Sequence, residues 1–236
     1  MAESGLSAFQ DRLYGVEWWK RGIDIAASIV GLTLCAPVIL IVSVLIKLTS
    51  PGPVLYTQQR IGLNRRMADR RNGGRPSPTD RRCQDRRGCV GFGKPFTMYK
   101  FRTMRLAAET GAPRWAEPKD PRVTRLGRIL RKSRIDEIPQ FVNVLRGDMS
   151  LVGPRPERAY FLAQADEHIP EFKLRLRTKP GITGLAQVEH GYTNSVKGLN
   201  TKLTFDLQYM DNLSLRTDLK ILARTVAVVV TGRGAY

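Results

Sequence analysis

Two adjacent carboxylates, Asp136 and Glu137, stand directly before Ile138 and Pro139, with Arg131 upstream and Arg155 downstream. A carboxylate can attack a phosphorus centre or hold a divalent cation, and arginine forks grip phosphate oxygens bidentately. The set points to phosphoryl chemistry, and a plain helix-capping role for the acidic pair is the competing reading. Other chemistries lack their parts. Only His168 and His190 occur, without an HExxH pattern, so a catalytic zinc is not expected. No glycine-rich phosphate loop follows a strand pattern, which argues against a P-loop nucleotidase. Cys83 and Cys89 lie in an arginine-rich stretch without companion ligands, and Cys35 lies in an apolar run. Neither a disulfide framework nor a metal site follows from them, and a reducing, cytoplasmic environment does.

The elements that must present these groups can be read around them. Thr124 is a suitable N-cap for a helix from Arg125, whose apolar Leu126, Ile129 and Leu130 share one face while Arg125, Arg128, Arg131 and Lys132 occupy the other. Proline disfavours helix in the residue before it and suits a helix's first turn, so one helix should end near Arg134 and another begin at Pro139. Asp136 and Glu137 then fall at a helix N-terminus, where backbone amides favour anionic groups. Downstream, Pro154 and Pro156 fix the backbone on either side of Arg155 and so present its guanidinium stiffly. The run from Lys179 to Gly184 is a turn with two glycines, able to bring backbone close to a ligand. Residues 54–60 (VLYTQQR) and 96–104 (FTMYKFRTM) read as short strands. Residues 218–230 read as an apolar helix that packs on the domain or lies on a membrane.

Residues 23–46 are apolar apart from Asp24 at their start. As a helix they would measure about 36 Å, against a hydrocarbon core of about 30 Å. The run is too long for a secretory signal, and no small-residue cleavage site follows it. Pro37 near its middle permits either a kinked spanning helix or a re-entrant hairpin that returns to the same face. Trp18 and Trp19 suit an interface, Lys20 and Arg21 suit its cytoplasmic side, and basic residues at both ends favour the hairpin. The run after it, Ser50-Pro51-Gly52-Pro53, ends the segment.

The net charge is +18, and residues 1–48 contribute none of it. Such an excess suits a polyanionic partner: nucleic acid, an anionic membrane face or phosphorylated substrates. Nine arginines against three aspartates between 64 and 90 supply a third of it, with Asp-Arg-Arg repeated at 69–71, 80–82 and 85–87. This stretch has almost nothing to bury and reads as a mobile insertion. Anionic lipid headgroups explain its charge, and no nucleic-acid partner is expected, because interleaved aromatics and a folded scaffold are missing. A membrane-tethered nucleic-acid binder and a non-catalytic scaffold of polysaccharide assembly are the rival classes. The first leaves the carboxylate pair unexplained, and the second would tolerate its loss.

Five blocks occur in a fixed order: KRGID (20–24), SPGPVLYTQQRIG (50–62), YKFRTM (99–104), DPRVTRLGRILRKSRIDEIPQFVNVLRGDMSLVGPRPE (120–157) and KPGITGLAQV (179–188). With them the chain resembles the bacterial sugar transferase family, the monotopic phosphoglycosyl transferases that act on polyprenyl phosphates. It resembles the short form, since no multi-span segment precedes Lys20. The resemblance implies that Asp136 attacks the sugar-bearing phosphate of a UDP-sugar, releasing UMP and leaving a phosphosugar on the aspartate. Polyprenyl (undecaprenyl) phosphate would then take it. Glu137 matches the second acidic residue, implicated with Mg²⁺ alongside Asp136 and in proton handling. Arg131 and Arg155 match basic positions near the phosphates, and Lys100, Arg102 and Lys179 within the blocks join them as candidates. Pro37 matches the proline that bends the re-entrant helix.

The expected fold is therefore α+β and mostly helical. Residues 1–48 form an interfacial segment and re-entrant membrane helix kinked at Pro37. Residues 49–236 form a cytosolic catalytic domain with a short β-hairpin, interrupted by the insertion at 64–90. The expected location is the bacterial inner membrane with the site facing the cytoplasm, and the expected pathway is exopolysaccharide or lipopolysaccharide biosynthesis. Two departures stand out. Where many relatives carry an Asn-Gly-Arg-Asn-like run, this chain has Glu189-His190-Gly191-Tyr192-Thr193-Asn194, without arginine. The arginine-rich insertion is the second.

Overall fold

The computed structural model describes residues 2–64, 92–105, 120–189 and 196–231, with the side chains of 2–18, 196, 197 and 230 left aside. The chain is α+β and mostly helical among them. Helix α1 (Ala2–Thr49) leads into an antiparallel pair, β1 (Leu55–Ile61) and β2 (Pro95–Phe101), with Leu55 opposite Phe101 and Ile61 opposite Pro95. Then come α2 (Arg125–Lys132), a 3₁₀ turn (Ile135–Glu137), α3 (Gln140–Arg146) and β3 (Ser150–Val152). Helix α4 (Ala159–His168), a 3₁₀ segment (Pro170–Arg177) and β4 (Gly181–Thr183) follow, β4 pairing parallel with β3. Helices α5 (Leu185–Glu189), α6 (Val196–Asp211) and α7 (Leu215–Thr231) complete the order. The insertion lies outside the described residues except for Asn64, and so do Cys83, Cys89 and residues 190–194.

Strand β2 shows how sequence becomes position. Side chains alternate along a strand, so Phe96, Met98 and Lys100 share one face. Phe96 and Met98 enter a core with Val144, Met149, Val152, Tyr209 and Ile221, and Lys100 continues that inward face past the core's edge. Phe101 points the other way, into a cluster with Val42 and Ile46 of α1 and Leu130 of α2. The outer edge of β2 is closed by a side chain: Asn143 of α3 accepts from the Tyr99 amide (3.0 Å) and donates to the Thr97 carbonyl (2.7 Å). Asn143 is fully buried, so both ends of its amide find the backbone partners that burial demands.

Within α1, the stretch Trp19–Thr49 is long and apolar enough to cross a membrane. Helical structure runs unbroken through Pro37, so the segments expected on either side of it belong to one helix. The helix touches the domain before and after that proline. Asp24 is buried and accepts from the Ser150 hydroxyl (3.1 Å) and the Leu151 amide (3.0 Å). Arg21 donates to the Val144 and Leu145 carbonyls at the C-terminal end of α3, where a cation is favoured. Past Pro37, Val42 and Ile46 join the cluster around Phe101. The opposite face, including Ile29, Val30, Leu34, Leu40, Ile41 and Leu48, is exposed.

Candidate active site

Helix α2 starts where expected: the Thr124 hydroxyl accepts from the Gly127 amide (2.9 Å). Gly127 is required by proximity, because a Cβ there would lie 2.1 Å from the Thr103 carbonyl oxygen. The end of β2 thus docks against the first turn of α2. On the same side, Arg131 Nε donates to the Thr103 hydroxyl (2.9 Å). After α2 the chain reverses at Arg134, whose φ of 58° is left-handed. A non-glycine residue there stores strain on the order of 1–3 kcal/mol, which the surroundings must hold in place. The reversal turns the 3₁₀ residues Asp136 and Glu137 inward, and both are buried. They precede α3, whose boundary falls at Pro139 as anticipated, but they stand on a turn of their own.

The two carboxylates are treated unequally. Glu137 Oε1 accepts from Lys100 Nζ (2.7 Å) and from Arg155 Nη2 (2.7 Å). Burial alone would raise its pKa, but the Arg155 and Lys100 charges outweigh burial and hold the carboxyl far below the ordinary range. Asp136 accepts no hydrogen bond among the described residues, and its ion pair to Lys100 spans 3.9 Å. Burial therefore prevails and raises its pKa, with the Lys100 charge opposing and the Glu137 charge adding to the rise; Arg131 and Arg155 oppose more weakly. Lys100 is itself lowered, by burial first and by the Arg155 charge, against the pull of both carboxylates. One carboxylate is locked by cations while its neighbour keeps its oxygens uncommitted.

The structure thus brings together Asp136, Glu137, Lys100, Arg131 and Arg155. The other sequence candidates lie apart. Arg102 is buried and spends its guanidinium on the Pro51 carbonyl (2.7 Å) and on the Ser50 carbonyl and hydroxyl (both 2.8 Å). Lys179 sits in the turn whose backbone faces Gly153, and its ammonium makes no hydrogen bond or ion pair among the described residues. Pro37 lies within α1. Glu189 ends α5 and pairs with Arg224 of α7. Thr103, Asn143 and the left-handed Arg134 are positioning features that sequence reasoning did not single out. A period-2 reading of Phe96, Met98 and Lys100 would have placed the lysine on the inward face.

The resemblance implies a Mg²⁺ ion. Mg²⁺ binds through one or two carboxylates and completes its shell with waters and substrate phosphates. Asp136 keeps both oxygens free of hydrogen bonds and Glu137 keeps Oε2 free, so these hard oxygens fit. No cluster of three acidic, histidine or cysteine residues that could hold a metal exists among the described residues.

Comparison with known proteins bears on the family. The family model described as bacterial sugar transferase matches residues 15–69 and 82–232. A UDP-N-acetylgalactosamine-undecaprenyl-phosphate N-acetylgalactosaminephosphotransferase of Aeromonas hydrophila is 41% identical over 216 residues, covering 92% of this chain and 44% of the relative. A UDP-glucose:undecaprenyl-phosphate glucose-1-phosphate transferase of Caulobacter vibrioides is 39% identical, covering 94% of this chain and 73% of the relative. An exopolysaccharide production protein PSS of Rhizobium leguminosarum is 37% identical, covering 91% and 97% respectively. The chain spans less than half of the Aeromonas protein and nearly all of the Rhizobium one.

Proposed function

Because the chain belongs to the bacterial sugar transferase family and sets an uncommitted Asp136 beside a cation-locked Glu137, we propose that it transfers a phosphosugar from a UDP-sugar to polyprenyl phosphate. The observation that carries this reading is the unequal treatment of the two carboxylates. A nucleophile needs free oxygens, and an anion attacking another anion needs cations nearby to offset the repulsion. Asp136 has the first, and Lys100, Arg131 and Arg155 supply the second.

In the first step an Asp136 oxygen attacks the sugar-bearing phosphorus of the UDP-sugar. The bond from that phosphorus to the bridging oxygen breaks, and UMP leaves. In the second step a phosphate oxygen of the polyprenyl phosphate attacks the same phosphorus. The bond to Asp136 breaks, the carboxylate is restored, and polyprenyl-diphospho-sugar departs. Glu137 holds Lys100 and Arg155 at the ring of phosphate oxygens and, with Asp136, would hold Mg²⁺. That ion, when bound, supplies positive charge to the phosphates.

The same reading makes α1 re-entrant. A spanning helix carries its two ends to opposite faces of a bilayer, yet residues on both sides of Pro37 pack against one domain. The exposed apolar face then dips into the lipid, and the catalytic domain lies on the cytoplasmic side of the bacterial inner membrane. There a soluble nucleotide sugar and a lipid phosphate both reach Asp136, in the first membrane step of glycoconjugate or exopolysaccharide assembly.

The test is nucleotide release from a panel of UDP-sugars with polyprenyl phosphate and Mg²⁺, comparing the parent with Asp136→Asn. UMP from the parent and none from the folded variant is the expected result, and the productive donor identifies the sugar. Release of UDP would overturn the reading in favour of ordinary glycosyl transfer.

A further inference from the structure

Arg155 reaches Glu137 from a loop that is itself held at every carbonyl. The Pro154 carbonyl accepts from the Gly181 amide (2.9 Å), and the Arg155 carbonyl accepts from Arg175 Nη2 (3.0 Å). The Pro156 carbonyl accepts from Arg60 Nη1 (2.9 Å), and the Glu157 carbonyl accepts from the Ile61 amide (3.0 Å). Two of these four bonds come from backbone amides of β4 and β1, outside the strand ladders. The other two come from arginines, and one of them is deeply buried.

Arg175 is only 2% exposed. Its guanidinium lies over the Phe172 ring (4.8 Å) and pairs with Asp206 of α6 (2.7 Å) and with Glu157 (3.5 Å). Lys202 closes the cluster from α6 by bonding Glu157. Burial would raise the Glu157 pKa, but Lys202, Arg175 and Arg60 outweigh it and bring it to about 2. A buried ion cluster is a poor way to gain stability, because desolvation consumes most of the attraction and packed apolar side chains would serve as well. What a guanidinium offers over an apolar residue is direction. A single nitrogen, Nη2, meets Asp206 Oδ2 and donates to the Arg155 carbonyl.

We propose that Arg175 is a positioning residue for the transferase site. Braced by Asp206 and Glu157, it fixes the backbone of Arg155 and so the reach of that side chain to Glu137 and to substrate phosphate. The inference rests on the reading of Arg155 as part of the active site.

The test uses the full-length chain in lipid nanodiscs. Arg175→Lys keeps the charge but is shorter and lacks the planar guanidinium that carries Nη2 out to Asp206 and the Arg155 carbonyl. UMP release is expected to slow by about ten- to a hundredfold, the scale of a displacement near 1 Å. Combined with Arg155→Ala, it should cost no more than about twofold beyond Arg155→Ala alone, because both changes remove one function. Amide exchange at Gly181 and Ile61, whose N–H groups donate to the Pro154 and Glu157 carbonyls, should accelerate while exchange in α3 and the thermal midpoint hold. Losses that multiply, exchange that rises evenly across the domain, or unchanged turnover with those two amides still protected would each overturn the proposal. If Arg175→Lys does not fold, Asp206→Asn should speed exchange at the same two amides, and unchanged exchange there would sink the idea. A parent that releases no UMP refutes the functional reading, and the exchange comparison still decides this one.

Discussion

Lys100→Met separates catalytic from structural use of the charge at the site. Lys100 Nζ lies 2.7 Å from Glu137 Oε1 and 3.9 Å from Asp136 Oδ2. At an effective dielectric of about 20, those separations correspond to attractions of about 6 and 4 kcal/mol. Against them stands the desolvation of the ammonium, several kcal/mol for a buried ion, which methionine does not incur. Glu137 also keeps Arg155 at 2.7 Å, so no carboxylate on that side is left bare. The net loss of stability should be about 1–2 kcal/mol, or about 2–8 °C for a domain of this size. Catalysis has no such compensation. Losing a cation aimed at developing phosphate charge should lower kcat by about 10²–10³. The assay is UMP release beside thermal unfolding of the same preparation in nanodiscs. Turnover within about fivefold of the parent would refute the catalytic reading of Lys100. A fall in midpoint beyond about 15 °C, with turnover lost in proportion to the folded fraction, would make it a structural ion pair.

Three further outcomes follow from the geometry. Arg102→Met strands the Ser50 and Pro51 carbonyls, so it should cost about 2–4 kcal/mol in unfolding while turnover per folded molecule holds; a phosphate-binding role would instead raise KM at unchanged stability. Glu157 has a folded pKa of about 2 against an ordinary 4.5, so it contributes stability above pH 4.5 that is lost as pH falls toward 2. The contribution is about 3 kcal/mol, and acid titrations of unfolding should show Glu157→Gln lacking that part of the slope. Deleting 66–88 should leave UMP release within about threefold, in keeping with a family model that passes over 70–81, and lost turnover in a folded variant would show that the insertion takes part in the chemistry.

Much of the scaffold was legible because its signals are local. Aromatic and β-branched residues announced both strands, with one-residue offsets in where β1 and β2 begin and β2 ending earlier, at Phe101. Thr124 and Pro139 marked the start of α2 and the boundary of α3, each through a side chain or ring that acts within one turn. What escaped was non-local or against type. Arg134 takes a left-handed φ at a position where neither glycine nor asparagine signals a reversal. Asn143 reads as an ordinary polar helix residue until β2, distant in sequence, supplies its partners. Arg102 looks like a phosphate ligand by type, and only the fold reveals that it fastens the end of α1.

Four successive residues, the last two of β2 and the two that follow it, explain why α1 and the candidate site belong to one device. Lys100 holds the carboxylates, Phe101 packs on Val42 and Ile46, Arg102 binds Ser50 and Pro51, and Thr103 receives Arg131 and docks on α2. Strand alternation sends Lys100 and Phe101 to opposite sides, and Arg102 and Thr103 follow within a few ångströms of backbone. A displacement of α1 therefore cannot leave Lys100 where it was without breaking either the Arg102 bonds or the Phe101 packing. Interiors packed at crystal-like density pass such shifts on and do not absorb them. The acidic pair is held by cations from β2 and from the Pro154-Arg155-Pro156 loop, and β2 is held by the helix that carries the apolar face. Helix α1 thus sets one side of the candidate active site and the buried ion cluster behind Arg155 sets the other.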